Sequence, residues 1–170
     1  MELEDAIRTR RTHKAYAPAP LDRATLDELF ELARWAPNHH LTNPWRFRVI
    51  GPRALERLKA ASDDPIAAAK LDRAPTLVVV SALQTGDPLS DEEDLLAAGA
   101  AAFIVLLAAH GRGLAGYWRT PAVLRTPAGR AAVGVGGDEH VLGLLHLGHP
   151  RQEPRVPERA PVGEVAEYLD

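Results

Sequence analysis

The chain has 170 residues, 46% apolar and 25% charged, with a formal net charge of −3. That balance fits one soluble domain spanning residues 1–170 and lacks the basic excess of a nucleic-acid surface. With no cysteine, disulfides, thiolate catalysis and cysteine-held metals are excluded. The start, Met1-Glu2-Leu3-Glu4-Asp5, is acidic and unlike a secretory leader, and the longest apolar run, Leu95 to Ala109, is short for a bilayer crossing. A cytoplasmic location is expected.

Residues 3–9 read as a short helix with Leu3, Ala6 and Ile7 on one face. Arg8-Thr9-Arg10-Arg11-Thr12-His13-Lys14 follows, a basic run that repels itself unless it holds an anion; a phosphate matches the guanidinium forks and hydroxyls, and a solvated turn is the alternative. Asp22 can cap a helix reaching about Trp35, with Leu26, Leu29, Phe30 and Ala33 at helical spacing. That helix delivers a polar loop, Ala36 to Pro44, bounded by two prolines and followed by a strand over 46–50. Pro52 opens a short helix through Leu58, and 66–73 is helical or irregular.

Thr76 to Ala82 is apolar on both faces, as in a central covered strand. Ser90 or Asp91 starts the longest helix, whose acids at 91–94 complement its N-terminal partial charge. From Leu95 to His110 that helix is apolar nearly all round, so it must be covered on every side; in a chain this small, a second subunit is one way to do so. Gly111-Arg112-Gly113-Leu114-Ala115-Gly116 spells G-x-G-x-x-G, but a helix precedes it and no helical pattern follows, the reverse of a dinucleotide fingerprint. These glycines end the helix instead. Thr126-Pro127 caps a helix to Val133, Leu142–Leu147 is a buried strand, and the proline- and arginine-rich last twenty residues wrap over a neighbour.

Five landmarks together resemble the nitroreductase family: Arg10-Arg11-Thr12-His13-Lys14, Ala36-Pro37-Asn38-His39, Asn43-Pro44-Trp45-Arg46-Phe47, Gly116-Tyr117-Trp118-Arg119-Thr120 and Leu147-Gly148-His149-Pro150. The resemblance implies an α+β fold with a mostly antiparallel central sheet flanked by helices, in a homodimer binding FMN at the subunit interface. It implies hydride transfer from NADH or NADPH to flavin N5, then reduction of an electron-poor acceptor of nitroaromatic or quinone type, in ping-pong order. By the same resemblance Arg10, Arg11 and Thr12 hold the FMN phosphate and ribityl chain, with Arg159 joining at the phosphate. Lys14 lies near the pyrimidine edge, Asn38 and His39 reach the flavin from the partner subunit, and Trp118, Arg119 and Thr120 pass along the ring. The sequence departs from the family pattern in carrying Asn43 where glutamine is usual, His39-His40 where small hydroxyl residues often stand, and Trp118-Arg119 where longer members carry an acid.

No residue pattern suggests a catalytic triad or carboxylate pair, which suits chemistry carried by a cofactor. Two other readings remain: a flavin-binding protein of this fold without turnover, and a metalloprotein built on the seven histidines, whose spacing matches no standard ligand motif.

Overall fold

The computed structural model describes residues 1–169. Its sheet is organised by the segment with no polar face. Residues Thr76–Leu83 (β2) sit inside a four-stranded antiparallel sheet, between Trp45–Val49 (β1) and Glu139–Gly148 (β4), with Ala115–Arg119 (β3) on the far side of β4. Because successive side chains alternate faces, Val78, Val80, Leu145 and Leu147 join one core cluster, whereas Leu77, Val79 and Leu144 join another.

The first face is covered by the long helix Pro88–Gly111 (α5) and by Arg23–Ala33 (α2). Ala97, Ala98, Ala101, Ala102, Val105 and Ala109 of α5 are buried, small side chains that let the helix lie close to the strands. They meet closely at Gly116, where a Cβ would come within 2.7 Å of the Leu106 side chain. The second face is covered by Pro52–Ala60 (α3) and Pro127–Ala132 (α6), joined by Pro65–Ala69 (α4), with Leu58 and Leu71 fully buried. The N-terminal helix Leu3–Thr9 (α1) runs beside the C-terminal end of α5.

The capping residues behave as their chemistry directs. Asp22 accepts from the Thr25 amide at 2.7 Å and Thr126 from that of Gly129 at 3.0 Å. The start of α5 differs from expectation. The cap is Asp87, whose carboxylate accepts from the Ser90 amide, and Pro88 takes the first helical position, where its missing N–H costs nothing. The helix is therefore 24 residues long, and by length and hydropathy alone it could cross a bilayer. Its small residues are instead packed against the sheet. Strand β3 was invisible in the sequence, since Ala115-Gly116-Tyr117-Trp118-Arg119 shows no alternation of apolar and polar residues. Of Leu3, Ala6 and Ile7 on one face of α1, only Ala6 is buried. Residues 149–169, beyond β4, are largely extended and exposed, with one short turn at Val162–Glu164.

Two buried ionisable groups set how the fold responds to acid. Burial pushes the Glu139 carboxyl up, but hydrogen bonds from Arg48, Ser81 and the Gly136 amide outweigh it and hold it below its ordinary value. His146, in the middle of β4 and 1% exposed, is lowered to about 3 by burial and then by Arg119 and Arg73. The native protein keeps His146 neutral where the unfolded chain would protonate it. Its contribution is complete above pH 6.5 and is lost between 6.5 and about 3. We predict that urea stability falls through this window by up to about 1.4 kcal/mol per pH unit from this residue, and that His146→Leu flattens the profile. Parallel profiles for the two proteins would contradict the assignment.

Candidate functional site

The chain from Arg10 to Tyr16 leaves α1 and lies along the sheet margin. Thr12 bridges to Gly116 of β3, the His13 amide donates to the Gly116 carbonyl at 3.1 Å, and Tyr16 bridges to Pro150 just beyond β4. This seats the basic run beside β3 and below the end of α5. Arg11 and Arg159 lie close enough to Arg10 for their charges to act on it, so that burial, then Arg159 and Arg11, lower the Arg10 pKa. Among the described residues none of the three joins an ion pair. Arg11 donates only to the carbonyls of Arg8 and Arg10, and its Nε is buried without a partner. Cations gathered without a counter-ion, with a donor left unused, suit a multiply charged anion such as a phosphate. Thr12 and Lys14 are exposed at the same edge.

Strand β3 divides its own site residues. Trp118 pairs with Leu145 and Arg119 with Leu144, so their side chains leave opposite faces of the sheet. Trp118 packs with the α5 cluster and its indole N–H donates to the Leu142 carbonyl at 3.3 Å. The indole lies where a Cβ on Gly143 would be, 2.5 Å from its Nε1, and Gly143 also has φ +154°. Arg119 points the other way, donating to the Lys70 carbonyl and lying over the Tyr117 ring. Thr120, at the strand's end, is exposed.

Asn38 and His39 are elsewhere. Their loop packs on the opposite end of α5, where the His39 ring pairs with Glu93 at 2.7 Å and the Thr42 hydroxyl donates to the buried Asp94 carboxylate. The other end of the helix touches the basic cluster through His110, whose Nε2 is 2.8 Å from the Thr9 hydroxyl. The 16 residue steps from Asp94 to His110 rise by roughly 24 Å. Within one chain, therefore, the two halves of the expected site do not meet.

The loop is also strained. His40, Leu41 and Asn43 have φ of 52°, 54° and 48°, each costing on the order of 1–2 kcal/mol outside glycine, least for asparagine. A local network holds it: the Asn38 side chain accepts from the Asn43 amide at 2.9 Å, Asn43 donates to the Leu41 carbonyl, and Arg46 donates to that of Asn43. Glu93 and Asp94 were missed in the sequence because they read as generic helix-start charges. With the helix beginning six residues before Asp94, they are free to bind this loop. Open clefts of 420 and 410 Å³ flank Asn38, one lined by Trp35, Leu41 and Asn43, the other by Glu93, Leu96 and Ala100. A further cleft of 320 Å³, lined by Gln84, Arg125, Arg130, Glu139 and His140, contains none of the expected site residues.

Residues 7–70 match the family model described as "Nitroreductase family". The Escherichia coli K12 protein YdjA, named as a candidate NAD(P)H nitroreductase, is 29% identical over 162 residues, covering 88% of each chain. Bacillus subtilis YfhC, named likewise, is 26% identical over 94% of this chain and 90% of its own. A crystal structure of a nitroreductase-like family protein from Bacillus cereus superposes with a TM-score of 0.91 at 23% identity, over 100% of this chain and 97% of that one. A Desulfovibrio desulfuricans structure described as a nitroreductase in complex with FMN gives 0.81 at 24% identity, covering 99% and 96%. At these identities the structures establish a shared fold, the antiparallel α+β arrangement expected of the sequence.

If Asp94 holds the strained loop, Asp94→Ala should cost about 1–3 kcal/mol and speed amide exchange across residues 38–43, leaving the sheet protected. Asp94→Asn, which keeps an acceptor, should lose less. Unchanged loop exchange in Asp94→Ala would contradict this role.

Proposed function

We propose that the chain is a member of the nitroreductase family, whose model matches residues 7–70 and whose curated relatives align over most of its length, and that it is a homodimeric, cytoplasmic FMN-dependent oxidoreductase using NADH or NADPH to reduce electron-poor acceptors of nitroaromatic or quinone type. FMN held by Arg10, Arg11, Thr12 and Arg159 would supply the two-electron chemistry, with hydride transfer at its N5 and reduction of the acceptor as two half-reactions in ping-pong order. The observation that carries the reading is the unpaired cluster of Arg10, Arg11 and Arg159 beside β3. It offers two guanidinium forks and a third cation to a phosphate monoester.

The roles of the remaining residues follow from position. Thr12 adds a hydroxyl at the same edge. Lys14 places positive charge where electron density on a reduced ring would be stabilised. β3, with Trp118, Arg119 and Thr120, forms the wall along which a planar ring can extend from the phosphate cluster. Asn38 and His39 are about 24 Å from that cluster along α5, so the loop completing the site is supplied by the partner subunit's Asn38 and the partner subunit's His39.

The surface around the loop supports this arrangement. Leu89, Leu96 and Phe103 of α5 are spaced seven residues apart, on one stripe, and are exposed; Leu96 is 69% accessible. Trp35 and Leu41, at 74% and 77%, flank Asn38 on the adjoining surface. A contiguous apolar patch of this kind marks a surface that a partner covers. The same patch is what the all-round apolar character of α5 requires.

Two experiments test the proposal. The purified protein should show flavin absorption bands that bleach on anaerobic addition of NADH or NADPH and return with a nitroaromatic. A protein that takes up no FMN would overturn the cofactor, and bound flavin that never bleaches would leave a binding protein without turnover. Leu96→Arg should convert dimer to monomer in sedimentation velocity and lower FMN affinity at least about tenfold, as a buried unpaired charge at an interface requires. A monomeric variant with wild-type FMN affinity would contradict the shared site.

A further inference from the structure

The basic cluster contains a titratable group that the phosphate reading does not use. His110 lies in the last turn of α5, where the helix's partial negative charge favours a cation. Its Nε2 is 2.8 Å from the Thr9 hydroxyl. That hydroxyl has one hydrogen, already donated to the Asp5 carbonyl, so it can only accept from the ring. The imidazole therefore carries its proton on Nε2, and Nδ1 is the nitrogen that gains or loses one. No hydrogen bond among the described residues involves Nδ1.

The surroundings of His110 are cationic from each side. Arg10 and Arg11 follow Thr9 directly, and burial and then these two arginines hold the imidazole below its ordinary value. His13 faces it across the cluster and is itself lowered by burial, then by His110 and Arg10. Arg159 acts on Arg10 from the C-terminal segment. Arg112, just beyond the helix end, is occupied by Glu28. The α1 acids Glu4 and Asp5 are exposed and join no ion pair among the described residues. Without an anion, burial and then Arg10 and Arg11 oppose a proton on Nδ1 and outweigh the helix end. A phosphate dianion among the arginines reverses that balance and offers an acceptor for the new N–H.

We propose that His110 is a proton-dependent fourth donor of the phosphate cradle made by Arg10, Arg11 and Arg159, protonated at Nδ1 when a phosphate monoester binds. The identity of the anion as FMN rests on the proposed function. Cofactor uptake is then coupled to proton uptake, and acidification tightens binding. The direction is diagnostic, because the phosphate's own second ionisation, near about pH 6, acts the other way by removing the dianion at low pH.

The test is FMN binding by flavin fluorescence between about pH 5.5 and about 7.5, with calorimetry in buffers of different ionisation enthalpy to count protons. Relative to His110→Gln, which keeps a donor for Thr9 but cannot titrate, the wild type should lose about fivefold more affinity across the range if the imidazole pKa moves by about one unit, about tenfold being the limit for such a shift. It should also take up a fraction of a proton that the variant does not. Riboflavin, lacking the phosphate, should show no such difference. In the wild type itself, nitrogen chemical shifts of His110 at about pH 6.5 should move toward the imidazolium form on FMN addition, a readout independent of the variant's folding. Identical pH profiles and unmoved His110 shifts with FMN bound would overturn the inference and leave the flavin reading intact. If FMN does not bind but inorganic phosphate gives His110-dependent proton uptake, the flavin reading falls and the cradle stands. Absence of binding by either anion overturns both.

Discussion

The structure depends on a length. Helix α5 is 24 residues, roughly 36 Å from end to end, and it is the element against which both the strained loop and the basic cluster are positioned. The Asn38 loop is tied to its first third through Glu93 and Asp94, the arginine cluster to its last turn through Thr9 and His110. Small buried residues on one side bring the helix onto the sheet, whereas Leu89, Leu96 and Phe103 on the other remain exposed. A rigid helix of this length prevents the two ends from meeting in one chain. It also presents, beside the loop, the apolar stripe through which a second copy could bring its own loop to the first copy's arginines.

The electrostatics divide along the same line. Charges that serve the fold are satisfied: Glu139 is bound by Arg48 and Ser81, Lys59 by Glu56 and Asp72, and Arg112 by Glu28. Charges at the basic cluster are not. Gathering Arg10, Arg11 and Arg159 without an acid costs free energy that a bound anion would offset. The strain at His40, Leu41 and Asn43 has the same character, since an unfavourable backbone is maintained by specific contacts to hold Asn38 and His39 at the surface. Departures from local comfort concentrate where the proposed chemistry is, as expected of a functional site.

Much of this was legible in the residues. The double-sided apolar run at 76–82, the Asp22 cap, the proline-bounded loop and the glycine stop after His110 each state their conformation locally. Helix α5 was legible in type but not in start, because Pro88 at its first position resembles a loop proline until Asp87 is seen to cap it. Strand β3 has no pattern of its own and exists because β4 and Thr12 pair with it. The basic run announced an anion site, but the placement of His110 within it depends on α1 and α5 packing together, which no local pattern encodes. That Trp118 and Arg119 face opposite ways follows from β3 being a strand and was hidden for the same reason.

The most direct test of the shared site is complementation between two defective chains. One carries Arg10→Ala and Arg11→Ala, the other Asn38→Ala and His39→Ala, and each alone should bind FMN poorly. Mixed by co-expression and purified through different tags as a heterodimer, they should regain about half the wild-type FMN stoichiometry at near wild-type affinity, because one site then draws its arginines and its loop from intact copies. If the heterodimer binds no more tightly than its parents, each site lies within one chain and the account is wrong.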